Sequence, residues 1–525
     1  MHQAVKLFDH FVLALNPSHG ILHIPSARDT LKETYKTIQD NDEGPSRGGL
    51  LLLFSIFAGA SIAWTPELLE ALDATPENAK AAFKAYAHAA KVVLDDASTP
   101  ILPPTTALAA TATLAHVLFN SDDGFPVRML ELRNRCLVMM RRLQLHRLDT
   151  VTSRQERSVT GCNWIEIEVQ RRIWWTTVAS DWLGGFSGSL MEGIYTFQPR
   201  QMNVRVPANI DDEFLSASGE AQGLPLSIPT AMSSFLQRLK LADLCRQVVD
   251  ELPAPVDTNH EKPDYSLVVD IDRRLRQYLD ELPVFFKLDP ASIRQSEKIC
   301  KERPYIAWQR IMGHFSVHAR ICHLHRPYHL EGARNPQFRY SRNACTESAY
   351  KVLELRRLMD EQRENSAFRP ERFWVVMQHV FMASLTLATD VSFNPDAPDA
   401  EARKENVMSA YRILERSKGE SSVLVEGLQR NMQTLMETLR SKPSSSAKLT
   451  RRPDDTAETR TEPANFYQQN LPSFPVQGGT HSSEWDPDSA GMDQTLSEFL
   501  EVVPDLDVNQ WMSLLGDTDV QFGIP

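Results

Sequence analysis

The stretch YIAWQRIMGHFSVHARICHLHRPYH, residues 305–329, decides the fold. Tyr305, Trp308, Met312, Phe315, Ala319 and Cys322 recur at steps of three and four, which puts them on one face of a helix. An apolar face of that kind must pack on something, so a buried helix is expected from about Tyr305. Pro327 has no backbone N–H and crowds the turn before it, so the helix is expected to stop there. Phe373, Val376, Val380, Ala383 and Leu387 repeat the pattern downstream.

Outward from this stretch, residues 1–440 read as helix after helix, with no clear run of alternating strands. The expected fold is all-α: one large multi-helix domain over 1–440. Residues 77–94 are rich in Ala and Lys, and Pro76 just before them suits a helix start. Residues 50–64 (LLLLFSIFAGASIAW) carry no charge. As a helix they span roughly 22 Å, short of the ~30 Å hydrocarbon core, so a buried core helix is expected rather than a membrane span. Asp9 and His10 interrupt the first apolar run, so no signal peptide is expected. Two irregular stretches break the helices, 193–230 and 252–266. The first is long for a loop and is expected to pack across the helices.

Composition changes near Ser441. Residues 441–491 are polar and rich in Pro and Ser, and are expected to be a disordered linker. Residues 492–525 alternate acids with bulky apolar groups. Leu496, Phe499 and Leu500 fall on one helical face, and Trp511, Leu514 and Leu515 on another. Such a segment stays solvated until a partner groove accepts it as a helix.

The chain has 525 residues, 42% of them hydrophobic, and a net charge of −12. No Lys or Arg follows Arg460, while 11 carboxylates do, so only about −1 falls on residues 1–460. A near-neutral body gives no electrostatic reason for strong phosphate binding. The six cysteines are widely spaced, without a C-x-x-C pair, which suits a reducing compartment rather than a disulfide framework.

Signatures of catalysis are mostly absent. There is no phosphate-binding G-x-x-x-x-G-K-[ST] and no G-x-G-x-x-G after a strand. GFSGS (185–189) approaches G-x-S-x-G, but Ser189 stands where Gly is needed. His314 and His318 lie four apart on one helix face, a zinc-compatible spacing, yet no Glu follows His314, so the protease pattern fails. They are expected to cap, pack or face solvent along the helix. Trp174 and Trp175 are expected to be a core aromatic pair rather than a base-stacking platform. Arg171 and Arg172 are expected to pair with carboxylates such as Glu166, Glu168 or Asp181. The arginine-rich stretch Arg128–Arg157 is expected to be a solvated face with one side buried. No enzyme activity, cofactor, metal site or membrane contact is expected.

Several segments together resemble the fungal-specific transcription factor domain, the middle homology region of zinc-binuclear-cluster regulators. LFDHFVLALNPSHGILHIPSARDTLKETY (7–35) resembles its opening, with His23-x-Pro25, and LVMMRRLQLHR (137–147) resembles its Leu-His-Arg helix end. EIEVQRRIWWTTVASDW (166–182) resembles the most diagnostic piece, carried by Arg171, Arg172, Trp174, Trp175 and Asp181. YTFQPRQMNVRVPANIDDEFL (195–215) follows in family order, then HLHRPY (323–328), with His325, Arg326 and Pro327, and YSRNACTESA (340–349).

The resemblance implies an all-α regulatory domain, nuclear location and control of transcription, with the motif residues structural. It implies a pathway-specific activator of a metabolic gene set, including secondary metabolism. The acidic segment would then engage the transcription machinery or a co-activator. Family members also carry six clustered cysteines before this domain. No Cys precedes Cys136 here. The zinc cluster is therefore expected to be missing, either from the protein or from this sequence of it, and DNA contact to be indirect or through a zinc-cluster partner. Two rival readings remain: an interaction protein without activation activity that titrates full-length regulators, and a small-molecule-binding helical protein.

Overall fold

Side-chain caps start seven of the α-helices among the described residues. A computed structural model describes residues 1–40, 44–96, 100–119, 125–188, 191–252, 264–362, 367, 369–370 and 373–393, with isolated positions 402, 405 and 409. The expected linker at 441–491 and the acidic segment at 492–525, with Leu496, Phe499, Leu500, Trp511, Leu514 and Leu515, lie outside the described residues. Among the described residues there are eighteen α-helices, five short 3-10 turns and no β-strand, apart from an isolated bridge between Ser216 and Gly219. The fold is all-α, as expected.

The first half holds α1 (His2–Ala14), α2 (Asn16–His19), α3 (Ile24–Asp40), α4 (Arg47–Ile62), α5 (Pro66–Leu72), α6 (Pro76–Asp95), α7 (Pro104–Phe119), α8 (Phe125–Arg142), α9 (Val151–Thr160) and α10 (Trp164–Gly184). α4 is the apolar stretch noted above. Ser46 caps it by accepting from the Gly49 N–H. Leu51, Leu52, Leu53, Ile56, Phe57, Ala58 and Ala60 are all buried, so the helix is covered on every side, by α1, α3, α6 and α7. It is a core helix. Among the described residues no single helix is long and apolar enough to cross a membrane. α1 comes close because residue 59 is glycine: a Cβ there would stand 2.9 Å from the Phe11 ring. α6 begins at Pro76 behind a capping box in which Thr75 and Asn78 bond each other's backbone.

The second half holds α11 (Ser233–Glu251), α12 (Tyr265–Asp280), α13 (Pro290–Gln295), α14 (Glu297–Glu302), α15 (Tyr305–His329), α16 (Glu331–Arg334), α17 (Arg339–Glu361) and α18 (Trp374–Phe393). α15 runs through its centre and packs on α17, α12, α11 and α18. α11 serves two cores. Phe235, Leu236, Leu239 and Ala242 join the first-half core, while Leu241, Cys245 and Val248 join Val268, Ile271, Leu275, Val317, Ile321 and Leu324 in a second.

Pro327 does not stop α15, which continues to His329. A proline so near the end removes a single ladder bond, to the His323 carbonyl. Tyr328, His329 and Leu330 are all buried just beyond it. Tyr328 packs against Tyr265 and Phe338, and that burial holds the last turn helical.

Candidate functional site

Among the described residues, polar side chains collect in the middle of α10, at the end of α15 with α12 and α17, and around a small cavity beside Cys322, among other places.

At the first, α10 starts under an Asn163 cap whose side chain accepts from the Ile165 and Glu166 N–H groups. One turn on, Glu168, Arg171 and Arg172 are buried. Arg171 donates to Asp149 from Nε at 3.0 Å and Nη2 at 2.7 Å, and to Glu220 at 2.6 Å. Arg157 also donates to Asp149, at 3.2 Å, as does the Arg205 N–H at 2.8 Å. Burial alone would raise the Asp149 carboxyl, but these hydrogen bonds and the charges of Arg171 and Arg157 hold it below the ordinary carboxylate range. Arg172, 1% exposed, donates to Asp212 at 2.8 Å and to the Leu22 carbonyl at 3.3 Å. Asp212 in turn accepts from the Ile24 N–H at 2.8 Å, and His23 Nε2 lies 3.2 Å from its carbonyl.

The irregular stretch 193–230 packs over α10 as expected, fastened mainly by α10 side chains that bond its backbone. Asp181, fully buried, accepts from the N–H groups of Thr196 (2.6 Å) and Phe197 (2.9 Å) and pairs with Arg133. Glu168 accepts from the Ala208 N–H at 2.8 Å. Trp175 and Trp182 donate to the carbonyls of Arg205 and Phe197, each at 2.9 Å. Asn209 donates to the carbonyls of Leu224, Pro225 and Ile228 and accepts from Thr230 and Ser233. Asp211 accepts a two-pronged contact from Arg303.

The expected partners of Arg171 and Arg172 need correction. Glu168 is one of them, at 3.5 Å from Arg171. Glu166 instead accepts from Thr105, and Asp181 holds Arg133. The principal partners, Asp149, Asp212 and Glu220, come from other segments. The two tryptophans do not pair with each other either: Trp174 packs edge-on against Phe197, and Trp175 against Trp182. In the arginine-rich stretch Arg141, Arg142, Arg147 and Arg154 are exposed, while Arg133, Arg135 and Arg157 are tied to carboxylates; the Arg128 side chain lies outside the described residues.

At the second place, His325 Nδ1 lies 2.8 Å from Ser341 Oγ, and its Nε2 lies 3.4 Å from Asp272. Ser341 donates to the Tyr265 hydroxyl at 2.9 Å. Tyr340 donates to Asp272, and Arg276 pairs with it at 3.0 Å. Burial would raise the Asp272 carboxyl, but His325, Tyr340 and Arg276 hold it low. Serine, histidine and aspartate in a row are the groups of a hydrolase triad. Here all three are 0% exposed, so no substrate reaches the serine. The group is a structural tie between α12, α15 and α17.

At the third, Ser187, Gly188, Cys322, His323, Arg326 and His379 line a cavity of about 30 Å³. The backbone N–H groups of Ser187 and Gly188 both donate to Glu192, at 2.9 and 2.7 Å, and the Ser187 hydroxyl donates to the Gly184 carbonyl. Glu192 also contacts His323 at 3.0 Å. The GFSGS turn therefore offers neither a free nucleophile nor a free oxyanion hole. Pro327 is exposed, and Arg326 is buried beside His323.

His314 contacts the Phe286 carbonyl at 3.0 Å, and burial pushes it down to about 4; His318 is pushed down to about 3 by the same cause. Among the described residues no group of three His, Cys, Asp or Glu is placed to hold a metal ion.

Together these features define an all-helical domain whose buried polar residues hold its own segments together. The chain belongs to the family described as the fungal specific transcription factor domain, which matches residues 8–279. It is 32% identical over 443 residues to "Probable transcription factor lepB" of Aspergillus flavus, covering 83% of this chain and 77% of that protein. It is 28% identical to the "Agnestins biosynthesis cluster transcription factor AgnL11" of Paecilomyces divaricatus, over 98% of this chain and 72% of that one. It is 26% identical to "Transcription factor TAS2" of Pyricularia oryzae, over 81% and 58%. A chain of the K. lactis CBF3 core superposes over 83% of each chain, with a TM-score of 0.47 and 11% identity. The family and these relatives are transcription factors, not enzymes, and the expected assignment to a non-enzymatic regulator holds.

Proposed function

We propose that this protein is a pathway-specific activator of a secondary-metabolite gene set, acting in the nucleus. The observation that carries the reading is the match along 98% of the chain to a regulator named for a biosynthesis cluster. The domain over 1–440 receives the signal and a protein partner. The linker over 441–491 then tethers the acidic segment 492–525, which recruits the transcription machinery or a co-activator. Its apolar groups, Leu496, Phe499, Leu500, Trp511, Leu514 and Leu515, become buried only in the partner's groove. Contact with DNA is indirect, or runs through a zinc cluster supplied by a partner or by a longer form of the chain. The near-neutral body supports that division of labour, since it offers little for phosphates to bind.

Two measurements test this. Residues 480–525 fused to a foreign DNA-binding domain should drive a reporter, and Trp511→Ala with Leu514→Ala should abolish it. Deleting the gene should lower the transcripts of one contiguous set of biosynthetic genes. A silent fusion would leave an interaction protein that titrates other regulators, and an unchanged transcript profile would overturn the pathway reading.

A further inference from the structure

Cys322 on α15 and Cys345 on α17 face each other with their sulfurs 3.8 Å apart, and both are buried. We propose that they are a reversible oxidation site, closing to a disulfide when a small hydroperoxide enters the cavity beside Cys322. The inference is independent of the role proposed above.

Three observations support it. The first is proximity: a disulfide holds its sulfurs at about 2.05 Å, so they need approach by only about 1.8 Å, within reach of side-chain rotation and slight helix movement. The second is access. Cys322 lines the cavity, and Cys345, which does not, lies 3.8 Å from the Cys322 sulfur. A water needs roughly 10–15 Å³ of such space. The cavity, about 30 Å³ in volume, therefore has room for a molecule of two oxygens. The third is chemistry. The Cys345 thiol and then the Arg326 guanidinium favour the Cys322 thiolate, drawing that group below the ordinary thiol value against the cost of burial; Cys345 is driven the other way. Because Cys322 lines the cavity and Cys345 does not, Cys322 is the attacking sulfur and Cys345 the resolving one.

In the first step the Cys322 sulfur attacks one peroxide oxygen. The O–O bond breaks, the leaving oxygen takes the thiol proton, and Cys322 becomes a sulfenic acid. In the second, the Cys345 sulfur attacks Cys322, the S–S bond forms and the S–O bond breaks. The hydroxide leaves with the Cys345 proton as water. Two thiols are oxidised and one hydroperoxide is reduced to an alcohol (or water) plus water. A dithiol reductant reverses the reaction. The product locks α15 to α17 beside Thr386 of α18, which lies 3.8 Å from Cys322.

The test is to treat the purified full-length protein with one to a few equivalents of hydrogen peroxide, digest it with trypsin without reduction, and search for the linked peptides 321–334 and 343–351, each of which holds one cysteine. The linked pair should form, two of the six thiols should disappear, and dithiothreitol should restore both. Cys345→Ser should leave a sulfenic acid on Cys322 that dimedone traps, and Cys322→Ser should leave Cys345 unreactive. Six thiols intact at peroxide levels that oxidise a free low-pKa thiol, or loss confined to the part-exposed Cys162 and Cys300, would overturn the proposal. Because the decisive result comes from the unaltered protein, a variant that fails to fold does not shield it.

Discussion

The Arg172 guanidinium on α10 stands 2.8 Å from the Asp212 carboxylate, and through it reaches the backbone of Ile24 at the start of α3. Residues near positions 23, 172 and 212 thus meet around one buried charge.

Replacing Arg172 with Met should destabilise the domain by about 3–5 kcal/mol, because Asp212 loses its cation at a largely enclosed position and Glu168 keeps only Arg171. Urea unfolding reads the loss. The double variant Arg172→Met, Asp212→Leu should recover part of it; an Arg172→Met domain as stable as the original would mean that the pair is ornamental.

Ser341→Ala should lower stability by about 1–3 kcal/mol, since His325 Nδ1 loses its buried partner. Hydrolysis of p-nitrophenyl acetate should be equally absent before and after the change. Measurable turnover that disappears with Ser341 would contradict the enclosed arrangement around it.

Stability should fall as the solution is acidified from about pH 6.5 toward 4. His314 is held down at about 4 and His318 at about 3, both by burial, so the unfolded chain takes up protons that the folded chain refuses. Their contribution is complete above the ordinary histidine value of 6.5 and is lost below it. His318→Gln should flatten the decline by about 1.4 kcal/mol per pH unit in that window. An unchanged slope would mean that His318 titrates normally.

Gly59→Val should cost about 1–3 kcal/mol by forcing α1 away from α4, since Phe11 and Leu15 already stand within 3.0 Å of where a Cβ would sit. Thermal melting of Gly59→Val against Gly59→Ala separates the added bulk from the first methyl.

The helices are legible in sequence because their signal is local. Pro76 opens α6, and the spacing from Tyr305 to Cys322 marks α15 as a helix, although α15 is buried beyond that one face, with Ile306, Ile311, Val317 and Ile321 enclosed as well. The partner of a buried charge is not local. Arg171 finds Asp149 on a turn 22 residues back, and His325 meets Asp272 on another helix, so neither spacing nor composition identifies them. Resemblance points to Arg171, Arg172, Asp181 and His325 as important without saying what each one holds. Asp149 and Glu192 sit in turns and carry no sequence signal beyond being polar, and Ser341 and Cys345 lie in the resembling segment 340–349 without standing out from it. Pro327 shows the limit of a local rule: the burial of Tyr328 outweighs one missing hydrogen bond.

α11 is a wall common to two rooms. The family match ends at residue 279, within α12, whose apolar side rests on α15. A fragment cut there would keep Val268, Ile271 and Leu275 but lose Val317, Ile321 and Leu324, leaving one whole side of α11 and α12 open to water. Such a fragment should aggregate. The stretch by which the family is recognised is therefore shorter than the piece of chain that can stand alone.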